Sequence, residues 1–277
     1  MFPPEIFSEI FSFLRSDACV LLTCSRTHPI FAQLIEPSLY AHVVVHNRDG
    51  FFENGRHLKL QPYQLSTLLS DTPRVINYLR SLCVELSDQI YKDHDQLMKG
   101  MTTILPRLKL ERIRLTFYHH NICAEWESFP TAFRTAFVAC ISTSYMKEIC
   151  LDVSRIPLSS FADCAGLKRL TLCQDAVPPP LSGSLDFPQL EALELCDWEM
   201  GGSSGPFFSW MLTHAAALRS LTLRTPLKSV LRISLPPLLT ICSASLVNLN
   251  IYYTRPGKSI YSITRIVLTL SYSTFNV

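Results

Sequence analysis

Apolar residues fall into two different periods along this chain. From Ile6 to Leu14, apolar residues recur at helical spacing as Ile6, Phe7, Ile10, Phe11 and Leu14. Pro3 and Pro4 sit where a missing amide proton costs least, and Glu5 complements the positive helix end. A second helix start reads at Ser16–Asp17 ahead of Cys19–Leu22. A third reads at Pro29 ahead of Ile30, Phe31, Leu34 and Ile35, with Pro37 as its stop signal. Helices this short are not stable alone and must share a core or borrow one.

Beyond Tyr40 the period changes. The run AHVVVH predicts a first edge strand, and Asn47–Gly50 reads as a turn. From Leu79 a pattern of apolar residues at i, i+3 and i+5 recurs, starting at Leu79, Leu110, Met146, Leu167, Leu190, Leu218 and Leu246. Its successive starts lie 31, 36, 21, 23, 28 and 28 residues apart, at or near the period of a leucine-rich repeat. Residues two apart on a strand share a face, so Leu170 and Leu172 point inward while Thr171 points outward. Ile263, Ile266 and Leu268 add a possible eighth strand, starting only 17 residues after Leu246. Helix-capable segments lie between: Tyr63–Ser70, His94–Leu105, Thr131–Ile141, Leu158–Ala165 and Pro206–Ala217.

The N-terminal residues carry a resemblance. The stretch P-P-E-I-F-x-E-I-F-x-F-L, the Cys24–Ser25–Arg26 block and the closing Leu39–Tyr40 pair resemble an F-box, with tyrosine in place of the usual tryptophan. The repeats after it resemble the irregular leucine-rich repeats that often follow an F-box, although Asp175, Trp198 and Pro226 stand where a regular repeat has asparagine. The implied fold class is α/β, a short helical F-box-like module followed by a leucine-rich-repeat solenoid with parallel strands on its concave side. The implied division is 1–46 for adaptor-binding helices, 47–74 for a linker and first capping elements, and 75–277 for the repeat arc.

The resemblance also implies a function. Pro3, Pro4, Ile6, Ile10, Leu14, Leu34 and Tyr40 would dock on an Skp-type adaptor, and through it on a cullin ligase complex. The arc would hold a protein substrate, of unknown identity, for ubiquitin transfer by other subunits. An isolated F-box would leave Pro3, Ile6, Ile10 and some of Leu14, Leu34 and Tyr40 partly exposed, whereas a mere cap on the first repeat would bury them. The alternative is a repeat scaffold with no ligase role.

Outward ladder positions supply the candidate substrate face: Arg112, Arg114, Glu148, Asp152, Arg169, Glu194, Arg224, Asn250 and Tyr252. Its mixed charge favours selective over broad attraction. Composition narrows the classes further. The chain has 277 residues, 48% of them hydrophobic and 17% charged, and a net charge of +2 without a long basic run, which disfavours nucleic acid. Its ten cysteines are scattered through apolar runs and form no C-x-x-C pair, so reduced, buried thiols are expected. No signal-like leader and no apolar stretch of about 18 residues occurs, so the expectation is an intracellular protein, cytoplasmic or nuclear, with no membrane partner.

Candidate chemistry fails at assembly. His94–Asp95, His119–His120 and Asp163–Cys164 with His214 lack the converging partners that a metal or an acid–base site needs. Gly201–Gly205 is followed by no lysine, so it is not a phosphate cradle, and Pro178–Pro180 is a short extended spacer. The expectation is a non-enzymatic chain that uses no cofactor and no metal.

Overall fold

The computed structural model describes residues 3–14, 17–46, 57–86, 91–117, 124–161, 163–173, 189–196, 218–226, 245–254 and 263–269. The expected turn at Asn47–Gly50 and expected helix at Pro206–Ala217, together with Gly201–Gly205, Pro178–Pro180 and His119–His120, lie outside them. The chain divides into two compact units, Met1–Ile122 with Phe129–Ile141, and Cys123–Ser128 with Ser142–Val277. The chain as a whole is α/β, with its described α-helices in the first unit and its strands mostly parallel and mostly in sequence order.

The first unit opens with α1 (Pro4–Phe13), α2 (Ala18–Thr27) and α3 (Pro29–Leu39). The Asp17 carboxylate caps α2 by accepting from the Cys19 and Val20 amides at 3.0 Å. His28 Nδ1 caps α3 by accepting from the Ile30 amide at 3.1 Å. Pro37 does not stop α3, which runs on to Leu39. It lies in the last turn, where its ring forfeits one hydrogen bond, and burial of Leu39 and Tyr40 offsets that loss.

Strands β1 (His42–His46), β2 (Leu58–Leu60), β3 (Ser81–Leu86) and β4 (Arg112–Phe117) follow, ordered β2-β1-β3-β4. The valine run is therefore not the edge. β2 pairs outside it, Val43 opposite Leu58, and β1 has parallel partners on both sides. This fits its burial, since Val43, Val44 and Val45 are all covered. Between strands run α4 (Pro62–Asp71) and α5 (Tyr91–Ile104), close to the two expected segments, and α6 (Thr131–Ile141), which coincides with its expected span. α4 packs on α5 and α5 on α6, with Phe129, Phe133 and Phe137 in a row of ring contacts.

The second unit places β6 (Glu148–Leu151), β8 (Arg169–Cys173), β9 (Ala192–Cys196), β10 (Ser220–Pro226), β11 (Asn248–Thr254) and β12 (Ile263–Thr269) side by side in that order. A separate two-stranded ladder joins β5 (Ala124–Glu125) to β7 (Val153–Ser154). Of the expected helix Leu158–Ala165, the described residues form a 3-10 turn over Leu158–Phe161. The eighth repeat strand exists as β12 but runs antiparallel to β11. Only residues 255–262 separate the two, fewer than the dozen or so that a parallel crossover needs.

Every apolar residue of the seven repeat motifs is buried, none more than 3% exposed. The registers are unstaggered: Leu82 faces Ile113, Ile149 faces Leu170, and Leu170, Leu193, Leu221 and Leu249 form a continuous row. One main-chain device sets this register. The carbonyl of the residue just before a strand accepts two amides, one from the residue before the next strand and one from that strand's first residue. In the second unit the Lys147 oxygen takes the Lys168 and Arg169 amides at 2.9 Å, and that of Lys168 takes Glu191 and Ala192 at 2.9 and 3.0 Å. The Glu191 oxygen takes Arg219 and Ser220 at 2.8 and 3.0 Å, and that of Arg219 takes Val247 and Asn248 at 2.8 and 2.9 Å. The first unit repeats it from Ala41 to Arg80 and Ser81, and from Arg80 to Glu111 and Arg112.

Gly166 precedes β8 where two backbones nearly touch. A Cβ there would lie 2.6 Å from the Ser144 carbonyl oxygen and 3.2 Å from that of Met146. Gly166→Ala is expected to lower stability by about 1–3 kcal/mol, the usual cost of forcing an extra carbon into a packed site, measured as a fall in the urea midpoint at unchanged slope.

Candidate docking surface and recognition face

The helical module sorts its apolar residues onto two faces. Phe7, Phe11 and Phe31 turn toward one another, with ring centroids 4.8 Å apart for Phe7–Phe31 and 5.3 Å for Phe11–Phe31. This cluster joins α1 to α3 and supplies the shared core that short helices require. Ile6, Ile10 and Phe13 recur at i, i+4 and i+7 on another face, 43%, 47% and 79% exposed. Val20 and Ile30 are also exposed.

Of the expected docking residues, Pro3, Pro4, Ile6 and Ile10 are exposed and Leu14 and Leu34 are half-buried. Tyr40 is buried at 8% exposure. It belongs to the junction with the sheet, where burial and the nearby Glu36 carboxylate push its phenol pKa upward. Phe13, the most exposed large apolar side chain described, was outside the expected set. Its place seven residues after Ile6 was the available signal.

The opposite end of this module meets the strands. A cavity of about 300 Å³ opens between Leu21, Pro37 and Leu39 and the His42 and His57 side chains. The two imidazoles lie 5.8 Å apart. Burial, then His57 and Arg112, pull the His42 pKa below its ordinary value.

The strand residues pointing away from the leucines form a polar face in each unit. In the first, Arg112 and Arg114 are exposed two residues apart on β4, and Cys83 lies opposite Arg114. In the second, Glu148 opens β6 and Asp152 follows its last residue, both half-buried, and Arg169 is exposed on β8. The expected charge groups thus divide between units, the arginine pair in one and the acidic pair in the other.

Three of the expected residues come together on β9, β10 and β11. Arg224 Nε donates to Glu194 Oε1, and the guanidinium carbon stands 5.0 Å from the centre of the Tyr252 ring. Asn250, half-buried, is the register partner of Thr222 beside them. Burial works against the Arg224 charge, but the hydrogen bond and charge of Glu194 outweigh it and raise its pKa. The Cys196 thiol, on the register partner of Arg224, lies 3.8 Å from Glu194 Oε1.

Among the described residues no group of three or more His, Cys, Asp or Glu side chains can hold a metal ion. Cys19, Cys24, Cys83, Cys140, Cys150, Cys164 and Cys196 are unbridged thiols. Burial pushes those of Cys140 and Cys164 up to about 12. No described helix is long and apolar enough to cross a membrane. No protein-family model, no curated protein and no solved structure matches the chain.

The depressed His42 pKa makes a signed prediction. The folded state holds fewer protons than an unfolded imidazole, whose ordinary pKa is 6.5, so this stabilisation is complete above that pH and is lost below it. The urea midpoint is expected to fall between about pH 7.5 and 5.5. The fall should be smaller in His42→Gln.

Proposed function

We propose that this chain is a non-catalytic recognition subunit of an SCF-type ubiquitin ligase. The helical module would dock on an Skp-type adaptor and hence on the cullin complex. The strand face, the concave side of a leucine-rich-repeat arc on this reading, would hold a protein substrate. The observation that carries the proposal is the exposed stripe Ile6–Ile10–Phe13 on a module whose other face is already filled by Phe7, Phe11 and Phe31. A helix that served only as a cap would turn its isoleucines inward, and large apolar side chains gathered on one exposed face mark an interaction site. The catalytic contribution would be proximity, holding substrate lysines near a charged carrier supplied by other subunits.

The scaffold reading draws support from one residue. Tyr40, the counterpart of the closing aromatic in the F-box resemblance, is buried rather than offered to a partner. Docking through α1 leaves Tyr40 free to serve the fold.

The test uses point changes rather than truncation. Removing residues 1–46 would also remove β1, which has strands on both sides. Ile10→Asp and Phe13→Asp lie on the exposed stripe and are expected to leave the unfolding midpoint within about 0.5 kcal/mol of the parent. Each should weaken binding to a purified Skp-type adaptor at least tenfold, about 1.4 kcal/mol. Absence of binding by the unaltered chain, where a known F-box protein binds, leaves the scaffold reading.

A further inference from the structure

On the second unit's polar face, Arg224 is held on two sides. Glu194 accepts a hydrogen bond from its Nε, and its guanidinium carbon stands 5.0 Å from the centre of the Tyr252 ring. Its side chain is still 46% exposed, and no further hydrogen bond from its guanidinium is formed among the described residues. An arginine fixed through Nε presents its two Nη nitrogens as a fork that matches the two oxygens of a planar oxyanion. The ring and the carboxylate remove much of the rotamer freedom that an unrestrained arginine would lose on binding.

The surroundings say which oxyanion fits. Arg224 and Glu194 neutralise each other, so a single negative charge is accommodated while a dianion would meet Glu194 at close range. Thr222 and Asn250 lie opposite each other in register on β10 and β11, one step along the strands from Arg224 and Tyr252. A hydroxyl and an amide there can both donate to and accept from the main chain of an extended segment.

We propose that Arg224, oriented by Glu194 and Tyr252, anchors one carboxylate of an extended peptide whose main chain runs over Thr222 and Asn250. The carboxylate comes from an Asp or Glu side chain or from a free C-terminus. This rests on the reading of the strand face as a recognition surface and is independent of adaptor docking.

The experiment measures binding of the full chain, without adaptor, to four fluorescent octapeptide pools. One is neutral and amidated, one amidated with internal Asp or Glu, one neutral with a free C-terminus, and one amidated with internal phosphoserine. At least one carboxylate pool is expected to bind tenfold or more tightly than the neutral pool, and which one it is identifies the carboxylate's source. Arg224→Gln should reduce that pool to the neutral level. Arg224→Lys, which keeps the charge without the fork, should lose most of the preference while retaining the parent's unfolding midpoint. Arg169→Gln, on the same face, should keep it. Equal binding of all four pools, tightest binding of the phosphoserine pool, or a preference that survives Arg224→Gln overturns the proposal. Each result is read without the adaptor, so adaptor docking stands or falls separately.

Discussion

One backbone carbonyl shared by two amides, repeated from turn to turn, is the constraint on which the rest of the structure depends. Each acceptor lies just before its own strand and takes the amides of the residue before the next strand and of that strand's first residue. Two donors converging on one oxygen leave no freedom for a one-residue slip. Such a slip would carry every leucine to the polar face and every arginine into the core. The continuous row of Leu170, Leu193, Leu221 and Leu249 follows from that restriction. So does the separation of faces, since with the leucines committed inward the alternate positions carry little packing duty and can be polar.

This device also explains how the repeats manage without a regular asparagine ladder. In these turns the tie is made by main chain at the start of the strand. The acceptors belong to Ala41, Arg80, Lys147, Lys168, Glu191 and Arg219, and it is their backbone oxygens, not their side chains, that make the tie. The side chains then take on a secondary role, as where Lys168 meets Glu191 at 2.9 Å and Arg80 meets Glu111 at 3.8 Å across successive turns. Those exposed pairs contribute little by themselves, and the register does not need them.

What could be read from the sequence divides along the same line. The buried leucines were legible because burial selects side-chain type at a fixed spacing, and α6 was legible because Phe133, Phe137 and Ile141 share one helical face. β2 was missed because Leu58-Lys59-Leu60 is only one alternation long and gains its identity from pairing with β1. Pro37 misled because a stop signal acts through a single lost hydrogen bond, which burial of Leu39 and Tyr40 overrides. On the polar face of the second unit, Glu194, Arg224 and Tyr252 were each legible as outward residues. Their contact was not, because it spans 58 residues of chain and exists only once three strands stand in register.

The same main-chain device ties the helical module to the sheet. Tyr40 donates its amide to the Glu36 carbonyl as α3 closes, and the next residue, Ala41, already supplies the first doubly used oxygen. No linker intervenes, for β1 begins at His42. Glu36, buried on α3, accepts from Arg74 Nη2 at 2.8 Å, and Arg74 belongs to the 3-10 helix Pro73–Asn77 that leads into the first repeat. Losing that arginine would strand a largely buried carboxylate. The module therefore cannot swing as a bead on a string. In the proposed ligase role this has a definite consequence: an adaptor gripping Ile6, Ile10 and Phe13 would grip β1 and β3 as well, so the position of the first strands relative to the adaptor is set by the fold and not by the partner.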